Sequence, residues 1–114
     1  MKTLQTIFNT VSKHLLKQNK VCENNFSCAY RGPNGLKCAV GVLIKDKHFK
    51  KIYNNDGIYH DGVIKMLTLS GIPTDKESLI FLTNLQRIHD TGEVENWKTK
   101  LKNTAKAYNL KCSF

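Results

Sequence analysis

Arginine is nearly missing from this chain. Sixteen of its 18 basic residues are lysine, and only Arg31 and Arg87 carry a guanidinium. Arginine is the side chain that grips phosphate and guanine with two parallel bonds, so a surface built for bidentate reading of DNA is not expected. Long apolar runs are missing too. No stretch approaches the roughly 20 residues that span a bilayer, which excludes a membrane partner of the spanning kind. At the N-terminus, Gln5, Asn9, Thr10 and Ser12 interrupt what would be the apolar part of a signal peptide, so the protein is expected to stay in the cytoplasm. There are no internal repeats and no low-complexity segment. Several catalytic motifs are absent. Gly32-Pro33-Asn34-Gly35-Leu36-Lys37 is too short for a phosphate-binding Walker loop and lacks its Ser/Thr, and neither GxSxG nor HExxH occurs.

What is present is charge. The formal net charge is +9 and the sequence pI is near 9.5. One reading is an anionic partner: nucleic acid, a nucleotide, a membrane surface or an acidic protein. The other is compositional, because lysine, asparagine and isoleucine are all favoured by AT-rich genomes. At 114 residues the chain makes one domain, spanning 1–114, with one modest core.

Four cysteines stand at 22, 28, 38 and 112. Their spacings do not match zinc knuckles, whose paired ligands lie two to four residues apart. Free, buried thiols are the plain expectation in a reducing compartment. A structural zinc held by opposed cysteines is the sharper alternative.

The apolar pattern predicts helices at both ends. Leu4, Ile7, Phe8, Val11 and Leu15 share one face of a helix over 3–19, with Lys2, Lys13, Lys17 and Lys20 opposite and Asn19 as its stop. Residues 20–27 read as a polar loop anchored by Phe26. Lys45–Lys51 is the densest basic patch, tied down by Phe49 and Ile52 as a short helix or a turn. Asn54-Asn55-Asp56-Gly57 is a turn signal. Val63–Leu69 reads as a short buried helix, with Asp61 favourable at its start and Ser70-Gly71 and Pro73 ending it. Thr74 and Glu77 form a capping box for a helix to about His89, with Phe81, Leu85 and Ile88 inward, Ile80 widening that face and Thr91-Gly92 closing it. A last helix from Glu93 or Glu95 to Tyr108 carries Val94, Trp97, Leu101, Ala105 and Tyr108 on its core face. Lys98, Lys102 and Lys106, four residues apart, form an exposed stripe beside it.

The centre of the chain is Cys28–Ile44. Pro33 and Asn34-Gly35 favour a turn with positive φ. The flanking segments Ser27–Arg31 and Leu36–Val40 then predict a β-hairpin that brings Cys28 and Cys38 together. Ala39–Ile44 reads either as a continuing strand or as the start of a buried helix. This stretch, Cys-x-Tyr-Arg-Gly-Pro-Asn-Gly-Leu-Lys-Cys-Ala-Val-Gly-x-Leu-Ile, resembles one found in a family of small uncharacterised proteins of tailed phages and some bacteria. The resemblance extends more loosely to Leu85–Asp90 and Trp97. It brings no catalytic residues. It implies a phage or mobile-element protein working inside a bacterium.

Three constellations have chemical interest. His60-Asp61 and His89-Asp90 repeat a dipeptide, and with His14 their order is similar to that of the metal ligands of HD phosphohydrolases, in which imidazoles and carboxylates hold metals that activate water. The plainer reading is that these residues start and close helices. Cys28 or Cys38 would act as a nucleophile only with a base such as His48, His60 or His89 nearby. Arg31, before the turn, either presents a contact to a partner or pins the turn through a salt bridge or hydrogen bond.

The expected fold is α+β: one β-hairpin packed against about four helices. The expected function is a small basic accessory protein of phage type that binds a host macromolecule, without catalysis and with no cofactor or metal. The alternatives are nucleic-acid or nucleotide binding, and a small metal- or thiol-dependent enzyme. The candidate partner contacts are Arg31, Lys37, Lys45, Lys47, Lys50, Lys51, Lys98, Lys102 and Lys106.

Overall fold

The computed structural model describes residues 1–24, 27–91 and 93–114, without the side chains of residues 23, 24, 27 and 28. Four α-helices build it: α1 (Leu4–Gln18), α2 (Asp61–Leu69), α3 (Lys76–Thr91) and α4 (Trp97–Ala107). None is long and apolar enough to cross a membrane.

The helix ends follow local chemistry. Thr3 caps α1 by accepting the amide N–H of Thr6 at 3.1 Å, and Asn19 ends it at φ 53. α2 starts two residues before the apolar pattern does, because His60 Nδ1 accepts the Gly62 N–H at 3.1 Å. It ends at Ser70, followed by Gly71 at φ +80. The cap of α3 is Asp75, not Thr74: its carboxylate accepts from the Ser78 amide and hydroxyl, which displaces the expected Thr74/Glu77 box by one residue. A 3₁₀ turn over Val94–Asn96, with Glu93 at its N-cap and Glu95 inside it, takes the place of the expected helix start, so α4 itself begins at Trp97.

α1 packs on α3, α4 and the 41–43 turn, and α3 packs on α4. Ile7, Phe8, Val11 and Leu15 meet Phe81, Leu82 and Leu85 of α3 and Trp97 and Leu101 of α4 in one core. Burying each such side chain contributes about 1.5–3 kcal/mol. The C-terminal tail turns at Asn109 (φ 55) and returns over α1, where Phe114 stacks on Phe8 with centroids 6.3 Å apart. Two expected core anchors lie outside this core. Ile52 is 80% exposed and Ile80 42% exposed. Phe26 and Gly92, expected to anchor a loop and to close α3, lie outside the described residues, as does the Cys28 side chain.

The expected α+β architecture is corrected here: the fold is helical, and the β-hairpin of Ser27–Arg31 with Leu36–Val40 does not form. Extended pairing among the described residues is limited to two two-residue strands, β1 (Glu23–Asn24) and β2 (Ser27–Cys28), and one isolated bridge between Arg31 and Lys37. The turn itself is as expected, with Asn34 at φ 59 and Gly35 at φ 77. Cross-strand bonds do form on either side of the Arg31–Lys37 bridge, Cys38 N–H to Tyr30 O at 3.1 Å and Gly32 N–H to Leu36 O at 2.9 Å. The ladder stops there because the Tyr30 N–H goes to the Asn54 carbonyl at 3.2 Å and the Val40 N–H to Gln86 at 3.0 Å. Side-chain amides hold the outward edges. Asn54 holds Arg31 on both sides, its Oδ1 accepting Arg31 N–H at 2.9 Å and its Nδ2 donating to Arg31 O at 2.8 Å. Gln18 does the same to Lys37, at 2.9 and 2.8 Å. Gln5 does it again to Lys111 in the tail, at 2.8 and 2.9 Å. A side-chain amide presents the same donor and acceptor as a peptide, so it stands in for a strand neighbour. Ala39–Ile44 is neither strand nor α-helix. It makes a 3₁₀ turn at Gly41–Leu43, whose tight approach to Tyr30 leaves no room for a Cβ on Gly41: one there would sit 1.9 Å from the Tyr30 carbonyl oxygen.

Candidate functional site

Cys22, Cys38, His14, His60 and His89 are committed to structure. His89 is fully buried on α3. Its Nε2 accepts the Cys22 N–H at 2.8 Å, so its proton sits on Nδ1 and is donated to Asp90 at 2.8 Å. Gln86 extends the chain, donating to Asp90 at 2.8 Å and accepting the Val40 N–H at 3.0 Å. This relay ties α3 to Cys22 and Val40 in the irregular stretch between α1 and α2. Burial, with a smaller contribution from the Asp90 charge, pushes the Cys22 thiol up to about 11. Burial pushes Cys38 up as well. A thiol held protonated at neutral pH is a poor nucleophile. Cys22, Cys38 and Cys112 are free. His14 donates from Nε2 to the Lys37 carbonyl at 2.9 Å, and burial lowers its pKa. His60 caps α2, with Asp56 at 3.8 Å. Among the described residues no group of three or more His, Cys, Asp or Glu could hold a metal ion. The ligand order that resembled the HD phosphohydrolases is therefore not gathered in space.

Arg31 is held by three groups, although its buried Nε has no hydrogen-bond partner among the described residues. Nη2 donates to the Ile44 carbonyl at 2.6 Å, Nη1 pairs with Asp46 at 2.8 Å, and the guanidinium lies over the Phe49 ring at 4.4 Å from its centroid. Its side chain is 18% exposed. These are bonds that pin the turn. Lys37 joins the same cluster, with Nζ 3.8 Å from Asp46. Lys45, Lys47, Lys50 and Lys51 stand exposed on the 3₁₀ turns Asp46–His48 and Lys51–Tyr53 and their approaches. Lys98, Lys102 and Lys106 are exposed along α4.

Arg87, which sequence reasoning passed over, has the opposite surroundings. Its guanidinium has no hydrogen-bond or ion-pair partner among the described residues, and it stands where two clefts meet. The first, about 350 Å³, runs between α3 and the 54–58 turn, and Asp56 and Asp90 line it. The second is a groove of about 360 Å³ between α3 and α4. Its walls are two helical stripes, Asn84, Arg87, Ile88 and Thr91 on α3 and Lys100, Asn103, Thr104 and Ala107 on α4. Both follow the spacing of one helix face. The signal was legible as a second, polar stripe beside the core face of each helix.

Comparison with family models, with curated proteins and with solved structures finds no match.

Proposed function

We propose that this chain is a small, non-catalytic binding protein of phage accessory type that works in the host cytoplasm by occupying an acidic surface of a host protein. The observation that carries this reading is uncompensated charge. Among the described residues, Lys37 is the only lysine with a carboxylate within 4.0 Å. The remaining lysines face solvent or line grooves without a counter-charge, while Asp75 and Asp90 are engaged by a helix cap and a histidine. A field of one sign steers a partner of the other sign and speeds encounter. The buried thiols and the hydrogen-bonded His89 support the non-catalytic part.

A second reading, nucleic-acid binding, is favoured by one feature: Lys98, Lys102 and Lys106 form a single exposed stripe, suited to tracking phosphates. Capture on immobilised protein from bacterial lysate, with and without nuclease, separates the two. A protein retained after nuclease, and lost when the three lysines or Lys45, Lys47, Lys50 and Lys51 are changed to glutamate, is the expected result. Capture that disappears with nuclease favours the second reading. An empty capture at low salt in both arms overturns both.

A further inference from the structure

We propose that the groove between α3 and α4 binds a small phosphate ester, with Arg87 and Lys100 as the pair that neutralises it. This inference is independent of the macromolecular binding reading.

Three observations converge. First, Arg87 is one of only two arginines, and it is the unpartnered one among the described residues. An arginine held by nothing in its own chain offers its full fork of donors to a ligand. Second, the groove is free of carboxylates. The two acids near Arg87, Asp56 and Asp90, line the neighbouring cleft, whereas Lys100 faces the groove. The potential is therefore positive on the α4 side of Arg87. Third, the remaining polar groups suit an oxyanion. Asn103 brings an amide, and the Tyr108 hydroxyl, which accepts from Asn84 Nδ2 at 3.0 Å, keeps its own O–H to donate, while Ile88 and the Tyr108 ring give an apolar wall. About 360 Å³ lies at the small end of ligand clefts.

The charge arithmetic selects phosphate over carboxylate. A phosphate monoester carries about −1.5 to −2 at neutral pH, and two cations match it. A carboxylate would leave one of them uncompensated. The fork of Arg87 can bind two phosphate oxygens at once, with Lys100 as a point charge on the third. The apolar wall distinguishes an ester from inorganic phosphate, because only an ester has a body to cover it.

The test is a titration of the isotope-labelled protein, followed by amide NMR at low salt, with inorganic phosphate and with a nucleoside monophosphate as separate probes. Saturable shifts on α3 and α4 around residues 87 and 100, with the monophosphate tighter, are expected. Arg87→Ala should weaken monophosphate binding roughly tenfold or more, Lys100→Ala by less, and Arg87→Lys by an intermediate factor because it keeps charge but not the fork. Lys102→Ala, on the exposed stripe, should leave affinity unchanged. Far-UV dichroism checks that each variant stays folded. Equal affinity for the two probes would overturn the ester assignment. Unsaturable shifts, or an equal loss from Lys102→Ala, would overturn the site.

Discussion

Arg31 and Arg87 are the same side chain in opposite circumstances. Arg31 sits in a loop whose backbone is held by Asn54 and Gln18, and its guanidinium is shared between a carbonyl, a carboxylate and an aromatic ring. Arg87 stands on a regular helix with its backbone satisfied and its head unpartnered among the described residues. The irregular region borrows polar side chains, its own Asn54 and the helical Gln5, Gln18 and Gln86, to satisfy peptide groups that no ladder or helix satisfies. The helical backbone has no such need, so a helical side chain that reaches no loop peptide, such as Arg87, remains available. Where the backbone is self-sufficient, a polar residue at a cleft is better evidence of ligand binding than a polar residue in a loop.

The largest expected effect would break both regions at once, because both rest on the same core. Trp97 is fully buried and stacks on His89 with centroids 5.6 Å apart. Trp97→Ala should cost about 3–5 kcal/mol, measured by chemical denaturation. Wild-type tryptophan emission should be blue-shifted and move red on unfolding, and a native spectrum like that of free tryptophan would contradict this placement. Trp97→Phe should cost less, since Trp97 Nε1 has no hydrogen-bond partner among the described residues to lose.

Next comes the loop. Asn54→Ala leaves the amide and carbonyl of Arg31 unpaired, so a loss of about 2–4 kcal/mol is expected. A loss under about 0.5 kcal/mol would mean that water replaces the side chain without penalty, and the contrast between the regions would weaken. Arg31→Ala should cost about 1.5–3 kcal/mol through the bond to Ile44, with little from the exposed Asp46.

A pH scan sharpens the picture at the edge of the loop. Burial lowers the His14 pKa in the folded state, so the unfolded chain takes up its proton first. Stability from this group is therefore present above about pH 6.5, the ordinary imidazole value, and falls as pH drops below it. The melting temperature should decline across that window, and His14→Gln should flatten the decline. An unchanged slope in the variant would assign the effect elsewhere. The smallest effect is expected from Arg87→Ala, within about 0.5 kcal/mol in melting experiments, because nothing in the described chain depends on it. A large loss would place Arg87 with Arg31 and remove the contrast.

Much of the helical half was legible from spacing. The faces of α1 and α4, the end of α1 at Asn19 and the positive φ of Asn34 and Gly35 follow from periodicity and turn chemistry. These are properties of neighbouring residues, and short-range sterics settle them. The hairpin was misread for the opposite reason. Two short segments around an Asn-Gly turn do imply a ladder if the only partners are each other. Here the Asn54 carbonyl takes the Tyr30 N–H and the Gln86 side chain takes the Val40 N–H, 24 and 46 residues away in sequence, so pairing ends at the Arg31–Lys37 bridge. Ile80 shows the same limit within a helix: expected to widen the core face, it is 42% exposed.

The sequence by itself determined four helices, their inward stripes and a tight turn between them, because each depends on contacts within a few residues. Only the tertiary structure decided which side-chain amides would replace strand partners, and which of two arginines would be occupied. Those outcomes depend on groups that meet across the fold, and a hydrogen bond made at one place is unavailable at another.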